Sequence, residues 1–161
     1  ASPSAGQVRG ILTHKLLEEL INQETDPTHL AERAAHLLDQ QDLRDPTVTI
    51  EASHVAATVL DAWNHPAIAR FRHNLWAEVT VARTLVQGNH VDLMSGLADA
   101  VVIRHGQRSE VALVIDWKSD ATLNHLDVYR DQIRVYLDLL DAPLGLLFFT
   151  SSDHVEEVPR L

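Results

Sequence analysis

The segment Val111-Ala112-Leu113-Val114-Ile115-Asp116-Trp117-Lys118 joins an apolar run to two charged residues. Its aliphatic and β-branched residues predict a buried strand over 111–116. Because side chains alternate between the two faces of a strand, Asp116 and Lys118 should point the same way. The pair is either a structural salt bridge, or a metal ligand and a charged group that face one substrate.

Two more carboxylates lie on the strands predicted before this one, over 75–86 and 91–103. Asp99 is flanked by apolar residues, so its carboxylate must be paired, protonated or bound to a metal ion. The hairpin turn expected at Gly106-Gln107-Arg108 places Asp99 beside Asp116, close enough for both to hold Mg²⁺ or Mn²⁺. Glu78 is either a further acidic ligand or the acceptor for a neighbouring arginine.

The rest of the chain has helical periodicity. Aspartate before proline is typical of a helix start, and it occurs at Asp26-Pro27 and Asp45-Pro46. We predict helices over 8–24, from each of these two starts, over 66–71 and over 125–141, and a last strand over 144–150. The result is an α/β fold in which residues 1–8 are a linker or a frayed terminus and 9–161 form one domain, with a helical section (9–73) and a sheet core (74–161).

Polar residues on the predicted helices have two possible roles each. His14 lies in line with Ile11, Leu17 and Ile21, so it is a hydrogen-bonded core residue or a ligand. On the helix after Lys118, Gln132 and Tyr136 are spaced i, i+4, and Tyr129 lies one turn before Gln132. These three either touch a substrate backbone or form a polar rim. Gly96, upstream of Asp99, indicates close approach of another backbone or a bulge.

Composition limits the classes of function. The chain has 161 residues and a net charge of −10. It has no cysteine, which excludes a thiolate nucleophile and any cysteine-based zinc or iron–sulfur site. The acidity argues against a domain that grips nucleic acid through a broad basic face. No apolar run reaches the length of a membrane helix and no signal peptide is visible, so we expect a cytoplasmic protein without a membrane partner.

Five motifs, in order, resemble the RecB-type nuclease domain of the PD-(D/E)xK superfamily. Arg9-Gly10-x-x-x-His14-x-x-Leu17-Glu18 in the first helix resembles its RG-x-x-x-H-x-x-LE segment, and Ala77-Glu78-Val79 resembles its acidic strand. The other three resemble its G-x-x-D, DYKTD and Y-x-x-Q-x-x-x-Y motifs, and they are Gly96-x-x-Asp99, Asp116-Trp117-Lys118-Ser119-Asp120 and Tyr129-x-x-Gln132-x-x-x-Tyr136. Trp117 and Ser119 replace the usual Tyr and Thr, which leaves the ligand positions themselves unchanged.

The resemblance implies a restriction-endonuclease-like fold with a mixed central sheet flanked by helices. It implies that Mg²⁺ or Mn²⁺ is held by His14, Asp99, Asp116 and the backbone carbonyl of Trp117, with no iron–sulfur cluster. Lys118 would orient the attacking water, with Glu78 as a further catalytic carboxylate. DNA-backbone contacts would come from Gln132 and Tyr136, with Tyr129 beside them.

The function implied is that of a metal-dependent DNA exonuclease that acts on single strands or duplex ends. The relatives suggested are the C-terminal nuclease domains of AddA- and RecB-type helicase–nucleases, which act in recombinational double-strand-break repair. Helicase domains of the same polypeptide or complex are then the expected partners, in a bacterial, nucleoid-associated setting. The alternative is a catalytically silent DNA-end-binding or scaffolding domain of the same fold.

Charge then refines this hypothesis. Residues 1–64 carry ten acidic and four basic side chains, so much of the excess acidity lies in the helical section. Such a domain should hold DNA weakly by itself, with a grip that depends on metal and on salt. We therefore expect a cutting module whose DNA is delivered by other parts of a larger protein.

Overall fold

The structure is a computed structural model that describes residues 3–41, 49–119 and 124–161. Its α-helices are α1 (Ala5–Ile21), α2 (Leu30–Asp39), α3 (Ala52–Asn64), α4 (Pro66–Ala69) and α5 (Leu126–Leu140). Its strands are β1 (Leu75–Gln87), β2 (His90–Arg104), β3 (Glu110–Lys118), β4 (Leu144–Phe149) and β5 (His154–Pro159). Short 3-10 helices cover Pro27–His29 and Arg72–Asn74. The predicted α/β fold, a mixed central sheet with flanking helices and an N-terminal helical section, is confirmed, and the sheet has five strands.

The chain forms two compact units. The helical unit comprises Ala1–Arg72, Trp117–Thr122 and Phe149–His154, and the sheet unit comprises His73–Asp116, Leu123–Phe148 and Val155–Leu161. The first boundary, between Arg72 and His73, falls within a residue of the predicted limit between helical section and sheet core. The assignment of 9–161 to one domain stays a prediction. No helix in the described part of the chain combines the length and apolarity that a membrane span requires.

Local signals explain where the first helices begin. Ser4 and Gln7 form a capping box at the start of α1, so the linker expected over 1–8 is wrong beyond Ser4. Asp26 accepts a hydrogen bond of 2.8 Å from the Thr28 amide, as expected of an N-cap. That helix start is a 3-10 turn that leads into α2. Asp45-Pro46 lies outside the described residues, and α3 begins at Ala52.

The buried face of α1 contains only part of the row that the sequence aligns with His14. Leu17 of that row is buried, whereas Ile11 is 53% exposed. The neighbouring Val8, Leu12 and Leu16 are buried. The inward position expected for Ile11 is therefore wrong, and that of Leu17 agrees with the structure. The core of the helical unit is completed by apolar residues of the other helices, among them Leu30, Ala34, Leu37, Val55, Val59, Ala62 and Ile68.

The sheet has the order β1-β2-β3-β4-β5, with β1, β2 and β3 paired antiparallel. Gln87 pairs with His90, so β1 and β2 are joined by the two-residue loop Gly88-Asn89. Gly88 has φ +61°, the left-handed value that a glycine at the first position of such a loop adopts readily. The helix α5 connects β3 to β4 and contacts β1. As predicted, β4 is almost entirely buried.

The sequence analysis missed β5. It took the strand over 144–150 as the last element, but His154–Pro159 forms a further strand. This segment carries two consecutive glutamates and ends in proline, a composition that is depleted in strands. Arg130 of α5 binds Glu156, an ion pair that ties the helix to β5. The strand is thus stabilised by a contact made across 26 residues of chain, which no local pattern reveals.

A buried ion pair joins α1 to α2. The Glu19 carboxylate is almost fully buried and accepts from Arg33, with Nε–Oε1 at 2.9 Å and Nη2–Oε1 at 2.8 Å. These hydrogen bonds to Glu19 raise the pKa of Arg33 above its ordinary value. Glu19 is a charged residue within an otherwise apolar helix face, so its burial depends on this partner.

We predict that Arg33→Met destabilises the protein. Loss of the guanidinium leaves the buried Glu19 carboxylate without its fork of donors, which should lower the free energy of unfolding by about 2 kcal/mol. Urea unfolding followed by circular dichroism measures this. Arg83→Met, at an exposed position of β1, is the control. Equal stability of the two variants would show that the pair contributes nothing to the helical unit.

Candidate active site

Three carboxylate residues lie in one row across β1, β2 and β3. Ala77 pairs with Ala100 and Val79 with Ala98, which places Glu78 opposite Asp99. Ala100 pairs with Ile115, and the same register continued by one residue places Asp99 opposite Asp116. Residues opposite each other on adjacent strands share a face and have Cβ atoms about 5 Å apart. The strand register thus gives neighbouring positions on adjacent strands to the three acidic residues that the sequence analysis singled out.

The backbone at Glu78 is unusual. Its φ is +48°, in the left-handed region, although it lies inside β1 and the pairing on either side keeps one register. A left-handed conformation is uncommon for any residue with a side chain, and in the middle of a strand it costs on the order of 1–3 kcal/mol. The surrounding strand pairs hold Glu78 in this conformation, and such outliers cluster at functional sites.

The end of β3 is buried up to its last residues. Asp116 is 8% exposed and Trp117 only 2%, while Lys118 is half-buried. The Lys118 carbonyl accepts two hydrogen bonds from Thr150, from the amide at 2.8 Å and from the hydroxyl at 3.2 Å. Within the helical unit, Thr150 therefore fixes the backbone that carries the lysine.

His14 lies on α1 and is half-buried. Its Nδ1 is 2.8 Å from the carbonyl oxygen of Gly10, four residues earlier in the helix. A carbonyl only accepts, so Nδ1 carries the proton and the lone pair of the neutral ring is on Nε2. This is the arrangement in which a histidine commonly binds a metal through Nε2, with its other nitrogen held by a backbone carbonyl. His14 belongs to the helical unit, and its role as a ligand stays a prediction.

Gly96 accommodates an aromatic ring. A Cβ at this position would lie 2.6 Å from Cε1 of Tyr136, and the strand pairing there is regular, with Val81 opposite Gly96. The glycine therefore reflects close approach of a side chain. Neither of the two readings that the sequence left open, a neighbouring backbone or a bulge, describes the contact. The sheet unit thus joins the G-x-x-D motif to the Tyr136 motif.

The other residues of the α5 motif lie along the same helix. Gln132 is exposed, whereas Tyr129 and Tyr136 are half-buried. The Tyr129 ring lies edge-on to His125, with 6.3 Å between the ring centroids. Spacings of three and four residues put the three motif side chains on one stripe of α5. Their expected contact with DNA stays a prediction.

The row of carboxylates has the donor chemistry of a site for a hard divalent cation, because Mg²⁺ and Mn²⁺ prefer carboxylate oxygens. In residues 3–41, 49–119 and 124–161, however, no three His, Cys, Asp or Glu side chains are grouped closely enough to hold a metal ion. The strand register supplies ligands of the right type on adjacent strands, without a closed ligand set.

The comparison with protein families gives a match over residues 1–150 to the PD-(D/E)XK nuclease superfamily. The chain belongs to the PD-(D/E)XK nuclease superfamily. Nucleases of this superfamily usually use divalent metal ions. No curated protein matches the chain. Among solved structures, the chain is similar to "Crystal structure of SSO0001", at 20% identity, covering 92% of this chain and 77% of that chain, with a TM-score of 0.43.

The sequence analysis of this superfamily member missed Thr150, the donor to the Lys118 carbonyl. It gave Arg9 no role beyond its place in the motif with Gly10. The structure shows why that glycine is present, since a Cβ at Gly10 would lie 2.7 Å from the Ser119 hydroxyl oxygen. A threonine directly after a buried strand was the available signal for Thr150. Asp120, the last residue of the D-x-K motif, lies outside the described residues.

We predict that Gly96→Ala destabilises the protein through Tyr136. The added methyl group would overlap the ring, and overpacking of this kind costs about 1–3 kcal/mol. Thermal unfolding should show a lower Tm, and a second change, Tyr136→Ala, should relieve the overlap so that the two effects are not additive. Gly106→Ala is the matched control, because its nearest neighbour would be 3.8 Å away. Additive changes in Tm for the two substitutions would contradict the prediction, because they would mean that the Tyr136 ring moves away from the added methyl group without loss of stability.

Proposed function

We propose that this chain is a metal-dependent deoxyribonuclease that degrades DNA from an end, and that it is the nuclease module of a larger helicase–nuclease in recombinational repair. The observation that carries the nuclease proposal is the row Glu78, Asp99 and Asp116 on three adjacent strands, with Lys118 two residues beyond Asp116. Superfamily membership supports the reaction class, and the five motifs support the helicase-associated context.

The proposed ligands of the metal ion are Asp99, Asp116, His14 and the carbonyl oxygen of Trp117, with Glu78 beside them. When bound, Mg²⁺ or Mn²⁺ in such a site supplies a water nucleophile at neutral pH and withdraws charge from the non-bridging phosphate oxygens. In the metal-free protein, like charges opposite each other on adjacent strands repel. A cation that neutralises the row would therefore also stabilise the fold.

Lys118 is proposed to orient the attacking water and to stabilise the negative charge that develops on the phosphate. Its ammonium group is a compact point charge that fits beside a crowded phosphate. The two hydrogen bonds from Thr150 fix the backbone of Lys118, so the position of its amine depends only on the side-chain torsion angles. Gln132 and Tyr136, with Tyr129 one step along α5, are proposed to contact the DNA backbone.

The context of a larger protein is supported by charge. The net charge of −10 repels DNA at long range, so the isolated chain has no broad electrostatic attraction for it. A nuclease with this surface works efficiently only when its substrate is brought to it. Helicase domains that feed a strand forward would meet this requirement.

A catalytically silent DNA-end-binding domain is the second candidate. One observation favours it, namely that no three ligand side chains in the described residues are grouped as a metal centre. Calorimetric titration of the protein with Mn²⁺ separates the two candidates. One or two bound ions per chain would support the nuclease, and absence of stoichiometric binding would favour the silent domain.

We predict that Asp116→Asn abolishes both cleavage and metal-dependent stabilisation. Wild-type protein should degrade end-labelled single-stranded or blunt duplex DNA with Mg²⁺ or Mn²⁺. Its Tm should rise with metal concentration, because bound metal increases the free energy of unfolding by about 2.7 kcal/mol at a metal concentration of 100 times the Kd. The variant should lose both effects while it remains folded. Asp92→Asn, at an exposed position of the same sheet, is the control. A variant that still cleaves DNA would contradict the assignment.

We predict that Lys118→Ala separates metal binding from chemistry. The metal-dependent rise in Tm should persist because the carboxylates are intact, whereas the cleavage rate should fall on the order of 10²–10³-fold, as when one group that stabilises transition-state charge is removed. Single-turnover cleavage at saturating metal measures the rate. A wild-type rate in this variant would exclude Lys118 from the reaction.

A further inference from the structure

A polar cleft lies within the helical unit. It has a volume of about 430 Å³, which is in the range of small-ligand sites. Two cationic or donor side chains line it, Arg9 of α1 and His54 of α3. Five hydroxyl side chains complete the polar lining, Thr13, Thr58, Ser119, Thr150 and Ser151. No carboxylate is among the described residues that line the cleft.

Thr13 contributes a hydroxyl group to the wall of the cleft. The residue is 4% exposed and lines the cleft from α1. Its hydroxyl is not among the buried polar atoms of the described residues that lack a hydrogen-bond partner. The hydroxyl is therefore open to the cleft, where it can donate to a bound group that has acceptor oxygens.

The cleft is built to bring its donors together. Gly10 lets α1 approach the segment after β3 until the Ser119 hydroxyl oxygen lies 2.7 Å from where a Cβ would be, which sets Ser119 beside the helix that carries Arg9 and Thr13. Thr150 lines the cleft and also donates to the carbonyl of Lys118. The cleft and the backbone of the lysine are thus held by the same residue.

Charge identifies the class of ligand. Arg9 has no ion pair within the described part of the chain, and its guanidinium offers a planar fork of donors that matches a phosphate. His54 Nε2 is 3.3 Å from the Glu51 carboxylate, at an exposed position on the rim. The described lining residues offer one permanent cation and five hydroxyl groups and include no carboxylate, which favours an oxyanion over a cation or an apolar molecule.

We propose that this cleft binds one phosphate group of a nucleic-acid strand, and that Arg9 and Thr13 are its binding residues. The proposal rests on the proposed nuclease function, because it assigns the cleft to the same substrate. A phosphate held here would fix the strand relative to Thr150 and hence to the backbone of Lys118. The group is either a terminal phosphomonoester or an internal phosphodiester, which share the same acceptor oxygens.

The test is binding without catalysis. Fluorescence anisotropy of labelled single-stranded oligonucleotides in EDTA, at low salt, compares 5′-phosphate, 3′-phosphate and unphosphorylated ends. Arg9→Gln should weaken binding about tenfold, and Thr13→Val, which keeps the shape and removes the hydroxyl, about fivefold. Arg70→Gln, an exposed arginine of the same unit away from the cleft, is the matched control for charge. Thermal unfolding shows whether each variant is folded.

The arms of the experiment separate the sources of the phosphate. If the Arg9 and Thr13 variants lose only the advantage of one phosphorylated end, the cleft holds a terminal phosphate. If they weaken binding of every oligonucleotide equally while Arg70→Gln does not, it holds an internal phosphate. Either result supports the proposal. Unchanged binding in the Thr13 variant, together with equal losses in the Arg9 and Arg70 variants, would overturn it, because only diffuse charge would then be at work.

Failure of this proposal differs from failure of the nuclease assignment. The cleft proposal fails when binding in EDTA is indifferent to Arg9 and Thr13, whatever Asp116→Asn does to cleavage. The nuclease assignment fails when the wild-type protein neither binds metal nor cleaves, even if oligonucleotide binding in EDTA depends on Arg9 and Thr13. The two measurements share no readout.

Discussion

The register of β1, β2 and β3 is the constraint on which the candidate site depends. Side chains alternate along a strand, so a slip of one residue between β2 and β3 would move Asp99 to the face opposite Asp116. Two features beyond the hydrophobic pattern fix the position of β2. The two-residue loop at Gly88-Asn89 allows only one pairing of β1 with β2, and the Tyr136 ring that packs on Gly96 positions β2 against α5. The positions of the three acidic residues are thus set by geometry elsewhere in the sheet.

In each of the two units, glycines allow a side chain of another element to pack directly against the backbone, and the contacting side chain differs at each glycine. Gly96 receives an aromatic ring, Gly10 a serine hydroxyl, and Gly145 of β4 the side chain of Ile133, whose Cδ1 would lie 2.8 Å from a Cβ. Only Gly88 among these positions is required by its backbone conformation. The other three have ordinary φ values, and what makes them glycine is the missing side chain. A motif glycine can therefore be a packing requirement that brings a functional helix or strand one atom closer.

Sequence reasoning succeeded where the signal is local and failed where it is not. Period-two and period-3.6 patterns placed β1 to β4 and α5 within about two residues, and the Asp26 cap was predicted with its proline. The exposure of Ile11 on α1 was not predicted, because apolar residues lie on several sides of that helix and the partner helices decide which of them are buried. Strand β5 depends on a distant arginine, and the left-handed backbone of Glu78 depends on its strand neighbours. Such tertiary effects leave no trace in a window of ten residues.

The net charge of −10 and the polar cleft both bear on the forces that would give this protein affinity for DNA. A chain with this excess of acids has no long-range field to gather a polyanion, so any affinity must come from short-range donors at defined points. Such donors act only over hydrogen-bond distances, and the negative charge of the protein weakens these hydrogen bonds little once the strand is bound. With the proposed phosphate site, such a protein would reject DNA in general and would retain a strand placed in the correct position. For the proposed nuclease, this would prevent indiscriminate cleavage, because contact alone would not lead to binding.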